Sequence, residues 1–152
     1  MFTLSKRSHD RLFGVDPRLV AVVNSAIGIT KVDFGVVEGL RTRDTQEMYV
    51  RTGKSQTMNS KHLVGEAVDL VAFVNGAVSW ELNLYDDIAD AMKIAAEEHD
   101  LPLRWGAAWN IADIRKWEGS MEAAMNYYID ERRRMNRRPF IDAPHFEISS
   151  SL

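Results

Sequence analysis

The run Ala67-Val68-Asp69-Leu70-Val71-Ala72-Phe73-Val74 places a carboxylate in the middle of a segment otherwise apolar enough to be a buried strand. A buried carboxylate is tolerated only when a cation, a proton or a set of donors compensates it. Asp69 therefore constrains the fold: some other segment must deliver a partner to the middle of this strand. With no cysteine in the chain, any metal there has to be held by His, Asp or Glu, and disulfides and thiolate nucleophiles are excluded.

The surrounding segments suggest how that partner arrives. Asp16 caps a helix that begins at Pro17 and carries Leu19, Val20, Val22, Val23 and Ile27 on its core face. Val32–Leu40 reads as a strand leading into a short helix, for which Asp44 is the expected cap and Gly53 the stop. Asn75-Gly76 turns the Asp69 strand into a returning one. A long amphipathic helix follows from about Leu82 to His99 and ends before Pro102; Tyr85, Ile88, Met92 and Ile94 sit at its core spacing. Leu103–Trp105 is a short strand, Glu118–Met135 a polar helix, and Pro144-His145-Phe146-Glu147-Ile148-Ser149 alternates as a final strand. The order predicts an α+β domain with a mostly antiparallel central sheet flanked by helices, one domain spanning residues 1–152.

Two of the four histidines are placed to reach Asp69. His62 precedes it by seven residues, on a segment that turns at Gly65, and His145 shares one face of the last strand with Glu147. If those strands are neighbours, His62, Asp69 and His145 make a two-histidine, one-carboxylate set, suited to one Zn2+ with an open fourth position. The alternative is that Asp69 pairs with Arg41 or Arg43 and the histidines are structural. Glu147 could hydrogen-bond a ligand imidazole or pair with a surface cation. Trp105 and Trp109 fit either core packing or the wall of a cleft, and His9 and His99 lie in polar surroundings.

The string Ser60-Lys61-His62-x-x-Gly65-x-Ala67-x-Asp69 resembles the S-x-H-x-x-G-x-A-x-D signature of the zinc peptidases that cut peptidoglycan stem peptides. That group unites D-alanyl-D-alanine carboxypeptidases, dipeptidases and L-alanyl-D-glutamate endopeptidases. Asp142-Ala143-Pro144-His145 is similar to its acid-x-x-His element, Val37–Thr42 to its arginine segment, and Leu103–Trp109 to its Trp-Gly-x-x-Trp stretch, with alanine at position 108 as a departure. Similarity is greatest to single-domain phage endolysins with no separate wall-binding module. The resemblance implies a hedgehog/D-Ala-D-Ala-peptidase-like fold and zinc held by His62, Asp69 and His145. It further implies Asp142 as catalytic base, Arg41 at the oxyanion or a substrate carboxylate, and Ser60, Lys61 and Trp109 against the peptide. The expected function is hydrolysis of the L-alanyl-D-glutamate bond by a phage or prophage lysis enzyme. The alternatives are a D-alanyl-D-alanine carboxypeptidase and a non-catalytic zinc-containing binding domain.

Charge and hydropathy set the expected context. A formal charge of -3 argues against nucleic acid as partner, and the arginine-rich run Glu131–Arg138 suits the C-terminal end of a helix. No apolar run approaches the roughly 20 residues of a membrane span, and the N-terminus does not read as a signal peptide. The expectation is a monomer that waits in the host cytoplasm until a holin admits it to the periplasm and cell wall.

Overall fold

The computed structural model describes residues 1–150. Helix α1 (Lys6–Arg11) is capped by the Ser5 hydroxyl, and α2 (Pro17–Ile29) by the Asp16 carboxylate, which accepts from the Arg18 amide. Strand β1 (Asp33–Glu38) is followed by α3 (Arg43–Arg51), then by a tight turn of helix at Lys61–Val64. After these come β2 (Ala67–Val74), β3 (Ala77–Ser79), α4 (Leu82–Glu98), β4 (Leu103–Trp105), α5 (Met121–Arg134) and β5 (His145–Ile148).

All pairings in the sheet are antiparallel, in the order β1-β2-β5-β4, with β3 also paired to β2. One edge of β2 carries β1, and the other is shared, with β5 beside Ala67–Asp69 and β3 beside Ala72–Val74. Strand alternation then assigns the two faces of the sheet. Val68, Leu70 and Ala72 of β2, Leu103 and Trp105 of β4, and Phe146 and Ile148 of β5 turn to the helices and are buried. There they join Leu19, Val22 and Val23 of α2 and Tyr85, Ile88, Ala89, Met92, Ala95 and Ala96 of α4 in one continuous core. Each large apolar side chain buried this way contributes about 1.5–3 kcal/mol relative to exposure.

The opposite face carries Asp69, His145, Glu147 and Arg104. Glu38, Asp69 and His145 lie directly across from one another on three adjacent strands, and Glu147 faces Arg104. The carboxylate inside the apolar run is thus on the open side of the sheet.

Two glycines fix how the loops meet this face. Gly65 has φ 72° and its carbonyl accepts from the Asp16 amide at 2.8 Å, which holds the His62 turn against the start of α2. Gly106 exchanges hydrogen bonds with the last turn before β5: its amide donates to the His145 carbonyl and its carbonyl accepts from the Asp142 amide, both at 2.8 Å. A side chain at position 106 would collide with the Asp142 carbonyl.

Several boundaries differ from the sequence reading. Thr42, not Asp44, caps α3, its hydroxyl accepting from the Thr45 amide, while Asp44 lies in the first turn. The polar helix begins after Ser120 rather than at Glu118, because Ser120 accepts from the Ala123 amide. Helix α1 is too short and polar to show an apolar period in the sequence. Ile94, at core spacing in the sequence, is 54% exposed on α4 and lies outside the core. No helix among the described residues is long and apolar enough to cross a membrane.

Candidate metal centre

The sheet delivers Asp69 and His145 side by side, and the Lys61–Val64 turn folds His62 over them. His62 is 2% exposed, and its Nδ1 lies 2.8 Å from the Gly39 carbonyl oxygen. A carbonyl only accepts, so Nδ1 carries the proton and Nε2 presents its lone pair, 3.2 Å from Asp69 Oδ1. His145 is arranged the other way round. Its Nε2 is 2.8 Å from Glu147 Oε1, and its Nδ1 lies 3.2 Å from the same Asp69 oxygen. One ligand atom from each of the three residues falls within 4.8 Å of the others.

Two imidazole lone pairs aimed at a carboxylate oxygen repel one another unless a cation or protons lie between them. That donor set fits a divalent metal bound through His62 Nε2, His145 Nδ1 and Asp69, and the nitrogen and oxygen ligands suit zinc. Burial acts to lower the His145 pKa, but the hydrogen bonds to Asp69 and Glu147 raise it to about 9. For Asp69, burial opposes ionisation, yet both imidazoles hold its carboxyl well below the ordinary carboxylate range.

Asp142 sits on the approach to β5 and lines the same cleft. Burial pushes its pKa up, and the charge of Asp69 adds to the effect. Among the described residues no side chain donates a hydrogen bond to it, so its oxygens are available.

Arg41 has 8% of its side chain exposed. Its Nε donates to Glu38, its Nη1 donates to Gln46 Oε1 at 2.6 Å, and its Nη2 lies 3.7 Å from Asp69 Oδ2. The sequence offered histidines or an arginine as the compensation for Asp69, and the structure brings both. Arg43 is exposed at the start of α3 and lines a neighbouring groove.

The cleft over this centre has a volume of about 830 Å3. Ser60 lines it, but its hydroxyl is engaged in capping the His62 turn, accepting from the His62 amide at 3.2 Å. Lys61 lines it as well and ties the turn to β5, donating to the Ile148 carbonyl at 2.6 Å. The two tryptophans divide. Trp105 is fully buried and donates to the Ala143 carbonyl at 2.7 Å, which anchors the turn bearing Asp142. Trp109 forms part of the cleft wall, 5.4 Å from the His145 ring and 6.3 Å from Phe140 between centroids. His9 and His99 lie away from this cleft; His99 pairs with Ser25 instead.

Sequence reasoning missed the support around Arg41. Gln46, fully buried on α3, donates to Ser55 Oγ and the Thr57 carbonyl and so fastens the loop before His62. Tyr49 lies under the Arg41 guanidinium at 4.6 Å and donates to Glu38. The spacing of Gln46 and Tyr49 on one face of an otherwise hydrophilic helix was the available signal.

An α+β sheet that gathers two imidazoles and a carboxylate on the floor of an open cleft could hold a metal ion, and similarity to known proteins places the chain in a family. Residues 1–149 match the family model described as phage L-alanyl-D-glutamate peptidase, and the chain belongs to that family. It is 32% identical to the L-alanyl-D-glutamate peptidase of Escherichia phage T5 over 113 residues, 72% of this chain and 82% of that protein. A Listeria phage peptidase of the same name is 36% identical over 79 residues, 52% of this chain and 27% of that longer protein. The crystal structure of the Serratia marcescens L-Ala D-Glu endopeptidase ChiX superposes with a TM-score of 0.71 at 36% identity, over 95% of this chain and 87% of that one.

Proposed function

We propose that this chain is a zinc-dependent peptidase that hydrolyses the L-alanyl-D-glutamate bond of peptidoglycan stem peptides during phage-induced lysis. The observation that carries this reading is the convergence of His62 Nε2, His145 Nδ1 and Asp69 Oδ1 in an open cleft, in a chain of this family. Zinc bound by these three residues would supply a Lewis acid for the scissile carbonyl and make a water molecule acidic enough to attack near neutral pH.

The remaining roles fall to the chain itself. Asp142, with a raised pKa and no side-chain donor among the described residues, accepts the proton of the attacking water and passes it to the leaving amine. Arg41, held by Glu38, Gln46 and Tyr49, keeps positive charge beside Asp69 and faces the charge that develops on the carbonyl oxygen. Trp109 forms an apolar wall for the peptide, and Ser60 and Lys61 shape the rim from which His62 descends. We propose that a holin or an equivalent breach of the inner membrane gives the chain access to the wall. We take the acting species to be a monomer.

Digestion of purified peptidoglycan followed by fragment analysis tests the bond. New N-terminal D-glutamate is the expected result. Release of free D-alanine alone would replace this reading with a carboxypeptidase. If Asp142→Ala digests the wall as fast as the unmodified chain, Asp142 is not the base and the assigned chemistry is wrong; no digestion by the zinc-loaded unmodified chain would make a binding role the better account.

A further inference from the structure

The cleft carries more negative charge than its metal ligands require: Glu38, Asp69, Asp142 and Glu147 all line it. A substrate cut on the amino side of a glutamate brings another carboxylate to this place. Whichever of the two glutamate carboxyls continues the peptide, the other stays free and ionised, a few bonds from the scissile nitrogen. It is received there only by a cation that the carboxylates of the cleft have not already engaged.

Four cations line the cleft, and three are poorly suited. Arg41 is already occupied by Glu38 and Gln46 and leans towards Asp69. Lys61 is bonded to the Ile148 carbonyl and lies 3.9 Å from Glu66. Lys54 has no ion pair among the described residues, but it is an exposed loop residue 5.2 Å from the Tyr49 ring, a position screened by solvent.

Arg104 differs from all of them. It lies on β4, in the row of cleft-facing residues that includes Glu147, and is joined to His145 through one intervening side chain, Trp109. Its Nε donates to the Trp109 carbonyl at 2.9 Å, its Nη2 donates to the same oxygen, and its guanidinium carbon lies 5.3 Å from the Trp109 ring centre. These contacts fix the plane of the group without neutralising it. Glu147, its cross-strand neighbour, is bonded to His145; the charge of Arg104 acts on it at longer range, but the two make no direct ion pair. The result is a pre-oriented, partly buried guanidinium whose Nη1 has no hydrogen-bond partner among the described residues, the form of donor best matched to a carboxylate.

Resting on the alanyl-glutamate reading above, we propose that Arg104 receives the free carboxylate of the glutamyl residue on the leaving side of the scissile bond, and so helps set the specificity of the cleft.

The test compares two synthetic stem peptides that differ only in whether that carboxylate is free or converted to a carboxamide. For the unmodified, zinc-loaded chain, kcat/KM is expected to favour the carboxylate peptide by about 10- to 100-fold. In Arg104→Ala that preference should collapse towards 1, and Arg104→Lys should keep part of it. A ratio between two substrates cancels any loss of folded or metal-loaded enzyme, so a purely structural role for Arg104 leaves the ratio unchanged. An unchanged ratio in Arg104→Ala, or no preference in the unmodified chain, overturns the proposal. Failure of the unmodified chain to cut either peptide would instead remove the alanyl-glutamate reading on which it rests.

Discussion

Asp86 offers a quantitative check on the packing that supports the site. It lies on the buried side of α4, 6% exposed, and is not among the residues that line the cleft. Burial raises its pKa from 3.8 to about 6, and the charges of Asp87, Asp90 and Glu122 act in the same direction. The folded chain therefore binds this proton more tightly than the unfolded chain. Asp86 costs least below pH 3.8; stability falls as pH rises through the window from 3.8 to about 6, and the cost is complete above it. At about 1.4 kcal/mol per pH unit, ionised Asp86 costs the fold at most about 3 kcal/mol at neutral pH. Asp86→Asn removes the charge at similar volume, so it should raise the melting temperature at pH 7 by roughly 5–10 °C. Thermal unfolding at pH 7 and at pH 4 is the assay, with peptidase activity as a control. The gain should be large at pH 7, small at pH 4, and without effect on kcat/KM. An Asn variant no more stable than the parent at pH 7 would refute the reasoning, since it would mean that Asp86 is compensated in solution.

Three further outcomes follow from the site and its supports. Glu147→Gln leaves the His145 Nε2 proton with a weaker acceptor, and chelator competition should show zinc affinity lowered about 10- to 100-fold; unchanged affinity would mean that Glu147 does not orient the ligand. Gly106→Ala forces β4 and the Asp142 turn apart, so kcat should fall together with thermal stability, and a variant with normal kcat would contradict the close approach at Gly106. Trp105→Phe deletes the hydrogen bond to the Ala143 carbonyl while keeping most of the buried ring, and denaturant unfolding should show a loss of about 1–3 kcal/mol; no loss would mean that water replaces the indole.

How far the sequence carried the account depends on the kind of signal. The apolar β2 run, the Asp16-Pro17 helix start and the alternation of Phe146 and Ile148 are set by local patterns, and each element formed where those patterns placed it. Period-two alternation fixes the faces of β2 and β5, and the family resemblance pointed to His62, Asp69 and His145 as a set, but the pairing that puts Asp69 directly beside His145 was only a condition of that reading and is seen in the structure. What stayed hidden depended on competition or register. Thr42 and Asp44 are both competent caps, and only the observed turn selects Thr42. Arg104 reads in sequence as an ordinary charge between Leu103 and Trp105. Its importance comes from lying opposite Glu147 and over Trp109, relations fixed by strand pairing and by the turn at Gly106. The Glu38-Arg41-Gln46-Tyr49 cluster likewise depends on how α3 folds back on β1, which no periodicity encodes.

On the proposed mechanism, one metal ion held by His62, Asp69 and His145 is required for peptidoglycan hydrolysis. The direct measurement is digestion of purified peptidoglycan by chelator-stripped protein, with zinc returned in measured increments and binding followed in parallel for the parent and for His145→Ala. The account expects no digestion by stripped protein, full recovery at one zinc per chain, and neither tight binding nor recovery in His145→Ala. Digestion that persists in stripped protein, or that recovers equally in His145→Ala, would contradict it.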